Sequence, residues 1–273
     1  MVDMHIHTNN SDGSYSTKEI IEMLKLLRIE LFSITDHDNI DSCKEIENLD
    51  LGNMNYIPGV EFSSINGTYN CHILGYNIDY NNKDLLEECK TIENRRKEKI
   101  KIIINYLKNE KNIYLTQEEI SRILNKKGTI GRYDICKILM EKGYGAKPIV
   151  YDNYLTNIEG VTTHRSDIET ITSVIKKANG VAILAHPKEI EDTYNVNIED
   201  IIEDFIEKGL DGIEAYNTIH TLNEVRRYLD LAKKYNLLIT GGSDFHGASH
   251  PERKLGKTTM YKVKLNSSNI KLH

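Results

Sequence analysis

A chain of 273 residues has room for one barrel-sized domain or for a core domain carrying a small insertion. Hydrophobic residues at 39% and charged residues at 28% exclude collagen-like, wholly disordered and membrane-spanning chains, and no apolar run approaches the ~20 residues that cross a bilayer. The 35 basic and 41 acidic side chains leave a formal charge of −6, so no global cationic field grips a nucleic-acid duplex and a polyanion must be met locally. The N-terminus has no basic region followed by a long apolar core, which makes the cytoplasm the expected compartment. Cys43, Cys71, Cys89 and Cys136 are widely spaced, without a C-x-x-C pair, and read as reduced structural thiols.

In chain order, the first strand-length apolar run is 2–6, and a helix follows over 17–28 with Ser16 as its cap. Further strands are predicted at 31–35, 56–60 and 71–76. From 84 to 144 the rhythm breaks. A long charged helix over 87–111 and shorter ones at 117–125 and 132–142 precede the turn signals Gly143, Gly145 and Pro148. The run Glu93-Asn-Arg-Arg-Lys-Glu-Lys there reads as a solvated helix face. Alternation then resumes, with helices at 167–178, 198–208 and 221–235 and strands at 181–185, 212–215 and 237–240. Strand followed by helix, repeated this way, predicts an α/β protein built on a parallel sheet or barrel. The expected domains are 1–83 with 149–273 for the α/β body, and 84–148 for a helical insertion that covers the substrate.

His5 and His7 are two apart on a strand, so they share a face and reach the same site. Asp12 follows in a Ser-Asp-Gly turn, and His37 follows Ile34-Thr35-Asp36. Glu61 ends Tyr-Ile-Pro-Gly-Val, His186 ends Val-Ala-Ile-Leu-Ala, and Asp244 and His246 follow Leu-Leu-Ile-Thr-Gly-Gly-Ser. Each is expected at or just past the carboxyl end of a strand, the rim where parallel α/β proteins build their sites. One such histidine is ordinarily structural, and Asp36, Asp38 or Asp41 can serve as helix caps. Five of ten histidines in equivalent places, with three acids beside them, point instead to a multinuclear metal site. Imidazole and carboxylate suit zinc, manganese or iron rather than calcium or haem.

The blocks Asp3-Met-His5-Ile-His7, Ser11-Asp12-Gly, Thr35-Asp36-His37-Asp38, Pro-Gly-Val-Glu61-Phe-Ser, His72-Ile-Leu-Gly-Tyr, Ala-His186-Pro, Gly-Ile-Glu214-Ala-Tyr and Gly-Gly-Ser-Asp244-Phe-His246-Gly resemble the PHP (polymerase and histidinol phosphatase) metal-dependent phosphoesterases. An ordered series of this kind is specific, whereas H-x-H alone is weak. The subgroup it is most similar to contains nucleoside bisphosphate phosphatases and 5′–3′ exoribonucleases of small RNAs, which carry a helical insertion after the His72 block. The resemblance implies a distorted (β/α)7 TIM-like barrel with three divalent ions, Mn, Fe or Zn. The implied ligands are His5, His7, Asp12, His37, Glu61, His72, His186, Asp244 and His246. By the same resemblance His5, His7, Glu61 and Asp244 hold one ion, Asp12, His37 and His246 a second, and His72 and His186 a third, with Glu61 bridging.

The implied activity is hydrolysis of phosphate from small nucleotides (a nucleoside 3′,5′-bisphosphate or an AMP-like ester) or trimming of the 5′ ends of short RNA, with a metal-activated hydroxide as nucleophile. Three carboxylates against three divalent ions leave about +3 at the site, a field that suits phosphate. The expected partner is therefore a small phosphorylated substrate, with no duplex nucleic acid and no membrane. Arg132, behind Gly131 at a helix N-terminus, is the expected phosphate clamp. Asp134 stands where the family commonly has a His, and either joins substrate binding or is an acid favoured by the helix dipole. His220 is expected to contact substrate or pass a proton to the leaving group. His164 and Arg165 read as polar loop residues, and His250 and His273 as solvent-facing. Histidinol-phosphate phosphatase and an amidohydrolase-like metal hydrolase stay open as alternatives, while a serine hydrolase or a P-loop enzyme is disfavoured by the lack of G-x-S-x-G and Walker A motifs.

Overall fold

The computed structural model describes residues 1–159, 161 and 165–257. Helix α1 (Thr17–Leu26) begins at Ser16, whose hydroxyl accepts the Glu19 N–H while the Glu19 carboxylate accepts the Ser16 N–H. Thr116 caps α4 (Gln117–Leu124), Asp167 caps α7 (Ile168–Lys177) and Thr221 caps α10 (Leu222–Tyr235) through the same side-chain chemistry. These helices start where a capping side chain stands, which is why their predicted starts lie within one residue of the observed ones. The sequence pattern missed α2 (Asp41–Ile46), which has no side-chain cap, and α8 (Lys188–Tyr194), which follows Pro187 directly.

The described residues fall into two compact units, one within Met1–Cys89 and Arg165–His273, the other within Lys90–His164. In the second, the distal part of α3 (Lys83–Lys111) joins α4, α5 (Arg132–Glu141) and α6 (Lys147–Val150), which continues into a π-helical turn, Tyr151–Leu155. These elements bury Ile103, Leu107, Ile123, Ile135, Leu139 and Val150 in a core of their own.

The first unit holds two sheets. One has the parallel order β1 (Val2–Asp3), β2 (Leu31–Phe32), β3 (Asn55–Tyr56). The other has the order β6 (Ser166–Asp167), β4 (Gly59–Asn66), β5 (Tyr69–Tyr76), β7 (Val181–Leu184), β8 (Gly212–Asn217), β9 (Leu238–Gly242), with α9 (Ile198–Glu207) between β7 and β8 in the chain. Past the end of β1, Met4 N donates to Gly241 O of β9 at 3.2 Å, and beyond β9 Phe245 O accepts His7 N at 2.9 Å, with Ile6 and Phe245 in parallel register. Thr35 N donates to Ile6 O at 2.8 Å and Glu61 N to Asp36 O at 3.2 Å, which carries the pairing across to β4. Beneath this run, Val2, Met4, Ile57, Leu74, Tyr76 and Ile183 form one apolar cluster. No described helix is long and apolar enough to cross a membrane.

The sheet departs from the parallel arrangement expected. β5 runs antiparallel to both β4 and β7, because β4 and β5 form a hairpin turning at Gly67, φ 58°, and so short a turn joins only antiparallel strands. The strand expected at 56–60 is two strands, interrupted at Ile57-Pro58, and the second runs on to Asn66. Glu61 therefore lies inside a strand rather than at its carboxyl end, and so does His72.

Gly242 brings β9 close against the chain after β1. A Cβ there would lie 2.3 Å from both His5 N and His5 Cβ. Gly242→Ala is expected to destabilise the fold by about 1–3 kcal/mol, read as a lowered melting temperature; an unchanged melting curve would contradict that contact.

Candidate metal centre

Nine side chains separated by up to 241 positions lie together in one cluster. His5 and His7 come from the chain after β1, Asp12 from the following turn, His37 from beyond β2, Glu61 from β4 and His72 from β5. His186 follows β7, and Asp244 and His246 follow β9. The imidazoles form a continuous arc, with ring centroids 4.0 Å apart for His7 and His246, 4.5 Å for His7 and His37, 4.8 Å for His37 and His72, and 5.2 Å for His72 and His186.

Glu61 lies at the middle of the arc and is fully buried. Its Oε2 is 3.3 Å from His5 Nε2, 3.1 Å from His7 Nε2 and 3.1 Å from His37 Nδ1. Its Oε1 is 3.2 Å from His72 Nδ1 and 3.0 Å from His186 Nε2. The strand register explains the His72 contact: Ser63 pairs with His72 and Glu61 with Leu74, so Glu61 and His72 are diagonal neighbours on one face.

Burial alone would raise the pKa of Glu61, but His37, His5 and His72 reverse that and hold its carboxyl well below the usual range. Burial likewise opposes a charged Asp244, and His5 and His7 hold it low. His7 moves up to about 10: burial disfavours its charged form, and Asp244 and Glu61 outweigh that. His37 moves the other way, because burial and its histidine neighbours win over the nearby acids.

The donor set fits a cation centre. His5 Nε2, His7 Nε2 and Glu61 Oε2 are buried and make no hydrogen bond, although both nitrogens lie within 3.3 Å of that oxygen. Orphaned buried polar atoms are costly, and convergent lone pairs of this kind are what a divalent ion satisfies. Ligand atoms of His7, Asp12, His37 and His246 lie within 4.8 Å of one another, as do those of His5, His186 and Asp244, and of His37, Glu61 and His72.

No family model matches the chain. It is 29% identical over 254 residues to the 5′–3′ exoribonuclease Rnm of Escherichia coli, a match spanning 89% of this chain and 84% of that one. It is 28% identical over 262 residues to the 3′,5′-nucleoside bisphosphate phosphatase of Chromobacterium violaceum, spanning 94% and 91%. The chain is similar in sequence to proteins named as an exoribonuclease and a nucleotide phosphatase. Two solved structures share its fold. One is described as an amidohydrolase from Chromobacterium violaceum with bound sulfate and no metal, with a TM-score of 0.79, 27% identity, and coverage of 95% of this chain and 91% of that. The other is described as a metal-dependent phosphoesterase from Bifidobacterium adolescentis, with a TM-score of 0.77, 22% identity, and coverage of 94% and 91%.

Around the cluster, buried acids orient the histidines and loops. Glu214 Oε1 lies 2.9 Å from His5 Nδ1, and Oε2 accepts the His186 N–H at 2.8 Å. A carboxylate on the outer nitrogen places the proton there and leaves His5 Nε2 to face the cluster. Asp36 caps no helix; it accepts Thr8 N, Thr8 Oγ1, Ser11 Oγ and Ser42 Oγ at 2.6–2.7 Å and ties the Asp12 loop to α2. Two residues of the cluster sit in left-handed backbone, His186 at φ 24° and Asp244 at φ 53°, a conformation that costs about 1–3 kcal/mol each and is typical of functional positions. Glu214 lay within a recognised block, yet its role was not legible because its partner His5 is 209 positions away.

The expected substrate residues have other partners. Arg132 donates to Leu155 O at 3.2 Å and faces the Tyr151 ring at 6.0 Å, within the second unit. Asp134 accepts Gly131 N at 2.9 Å and Lys126 Nζ at 3.1 Å, with Lys137 Nζ at 3.2 Å, which is the helix-start role of the two weighed for it. His220 Nδ1 is 3.0 Å from Ala215 O, so that nitrogen carries the proton; Nε2 is buried without a hydrogen-bond partner, and burial pushes the pKa down. Arg165, expected to be only a polar loop residue, lines a cavity of about 180 Å³ with Asn70, His72, His186 and Glu189. His250 is half-exposed, 3.0 Å from Glu252. His164 and His273 lie outside the described residues.

Replacing Glu214 by Gln, which keeps the shape but loses the charge, is expected to weaken Mn²⁺ binding by roughly 10–100-fold. Calorimetric titration of metal-free protein measures this directly, and unchanged affinity would show that Glu214 does not orient His5.

Proposed function

We propose that this chain is a metal-dependent phosphoesterase that removes phosphate from small nucleotides, a nucleoside 3′,5′-bisphosphate or an AMP-like ester, or trims the 5′ ends of short RNA. One observation carries the assignment: histidines from four separate strand ends or strands surround a single buried carboxylate, Glu61, with Asp12 and Asp244 beside them. The homology to a bisphosphate phosphatase and an exoribonuclease, over most of each chain, supports the substrate class.

We assign three divalent ions, Mn, Fe or Zn, to the cluster. His5, His7, Glu61 and Asp244 would hold one, Asp12, His37 and His246 a second, and His72 and His186, sharing Glu61, a third; the overlapping groups of ligand atoms support more than one ion. Such ions, when bound, lower the pKa of water toward neutrality and neutralise phosphoryl oxygens. The protein's own contribution is orientation and charge. Glu214 and Asp36 hold the ligand-bearing loops, and His220, with Nδ1 tied to Ala215 O, offers a neutral Nε2 that can take or return a proton during ester cleavage.

For the scaffold we infer the distorted (β/α)7 barrel. Its support is the pairing of β1, β2 and β3 in one sheet and of β4, β5, β7, β8 and β9 in the other, with the two joined past β2 by Glu61 N to Asp36 O and past β1 by Met4 and His7 against the β9 segment. Residues 84–148, between β5 and β6 in the chain, are then the helical insertion.

The test is hydrolysis by the purified protein with Mn²⁺. Phosphate release is expected from a nucleoside 3′,5′-bisphosphate or AMP, or shortening of a 5′-phosphorylated oligoribonucleotide, at a rate above that on histidinol phosphate. His37→Ala and Asp244→Ala are expected to abolish it. An amide panel covers the second reading, which the description of one structural relative as an amidohydrolase favours. Amide cleavage without turnover of any phosphate ester would overturn the assignment.

A further inference from the structure

We propose that Arg253 is a positioning residue of the metal centre, a clasp that ties Asp244 to the Glu189–His186 pair; this builds on the metal-centre assignment above. Arg253 follows the 3₁₀ turn Gly247–Ser249, and its side chain is only 13% exposed, low for an arginine. One terminal nitrogen, Nη1, donates to Asp244 Oδ2, and the other, Nη2, donates to Glu189 Oε1 at 3.0 Å. Two carboxylates from different loops are thus held by one guanidinium.

Each carboxylate keeps its second oxygen for the histidines. Asp244 Oδ1 lies 3.4 Å from His5 Nε2 and 3.3 Å from His7 Nε2. Glu189 Oε2 lies 3.3 Å from His186 Nδ1, while His186 Nε2 is 3.0 Å from Glu61 Oε1. Glu189 therefore does for His186 what Glu214 does for His5: it holds the outer nitrogen and turns the inner one toward the cluster. Arg253 fixes Glu189 in that position and, with the same fork, sets which oxygen of Asp244 points inward. A planar guanidinium can span two carboxylates in a fixed geometry, and a lysine ammonium cannot.

Two opposing effects give the inference a sign. A guanidinium that merely stood in for a metal would repel cations and compete for Asp244, so its removal would tighten metal binding. The contacts favour the opposite, because Arg253 occupies the outer oxygens and leaves the inner ones free for an ion.

The test titrates Mn²⁺ into metal-free wild type, Arg253→Ala, Arg253→Lys and Glu189→Gln, with bound metal counted by elemental analysis and the melting of each metal-free protein recorded. Arg253→Ala is expected to weaken Mn²⁺ binding by roughly 10–100-fold, with partial recovery in Arg253→Lys and a similar loss in Glu189→Gln. Unchanged or tighter binding in Arg253→Ala overturns the clasp, as does a lowered metal-free melting temperature with unaltered affinity. If Arg253→Ala does not fold, Glu189→Gln decides: weaker binding supports the clasp and unchanged binding overturns it. Wild-type protein that takes up no Mn²⁺ overturns the metal centre and the clasp together. Wild type that binds Mn²⁺ but cleaves no phosphate ester fails only the catalytic assignment, and the titration still decides the clasp.

Discussion

A carboxylate with no exposure to water, ringed by five imidazoles, is the constraint around which the rest of this protein is arranged. An isolated buried charge is prohibitively costly, and it persists only where opposite charge and fixed donors surround it. Glu61 meets that condition because separate stretches of chain deliver histidines to within 3.3 Å of its two oxygens. The hairpin of β4 and β5 contributes the acid and one imidazole from a single face, and the neighbouring strands supply the others past their ends.

Such a cluster is stable only if its members cannot drift, and a layer of buried acids prevents drift. Asp36 gathers four donors from one loop and a helix, Glu214 holds His5 and the His186 backbone, and Asp3 accepts Ser243 N at 2.8 Å and Gly256 N at 2.8 Å. Burial lifts the Asp3 pKa to about 6 despite those bonds, a sign of how little water reaches this layer. The left-handed backbone at His186 and Asp244 follows the same logic: strain at these two positions is held by hydrogen bonds around them.

Much of the fold was legible because it rests on local signals. Ser16, Thr116, Asp167 and Thr221 announce helix starts through side chains that reach the backbone three residues on. The strands were harder. The extension of β4 to Asn66 carries Ser63, Ser64 and Asn66, polar residues that read as a loop and are buried only because β5 and β6 flank them. The antiparallel course of β5 follows from the turn at Gly67, which composition alone did not separate from an αβ connection. Asp134 shows the converse: a position suggestive of substrate contact is used by the helix start that it opens.

The nine clustered residues could be named from the chain through the resemblance, since their motif blocks carry both residue type and spacing, and both are properties of sequence. What joins them could not. Glu214 finds His5 across 209 positions, and Arg253 reaches Glu189 across 64. Neither pairing leaves a periodic or local trace. Residue chemistry decides which atoms are able to bind a cation; the meeting of strand ends, fixed by sheet register and by close approaches such as Gly242 against His5, decides which of them do so together and how they are held.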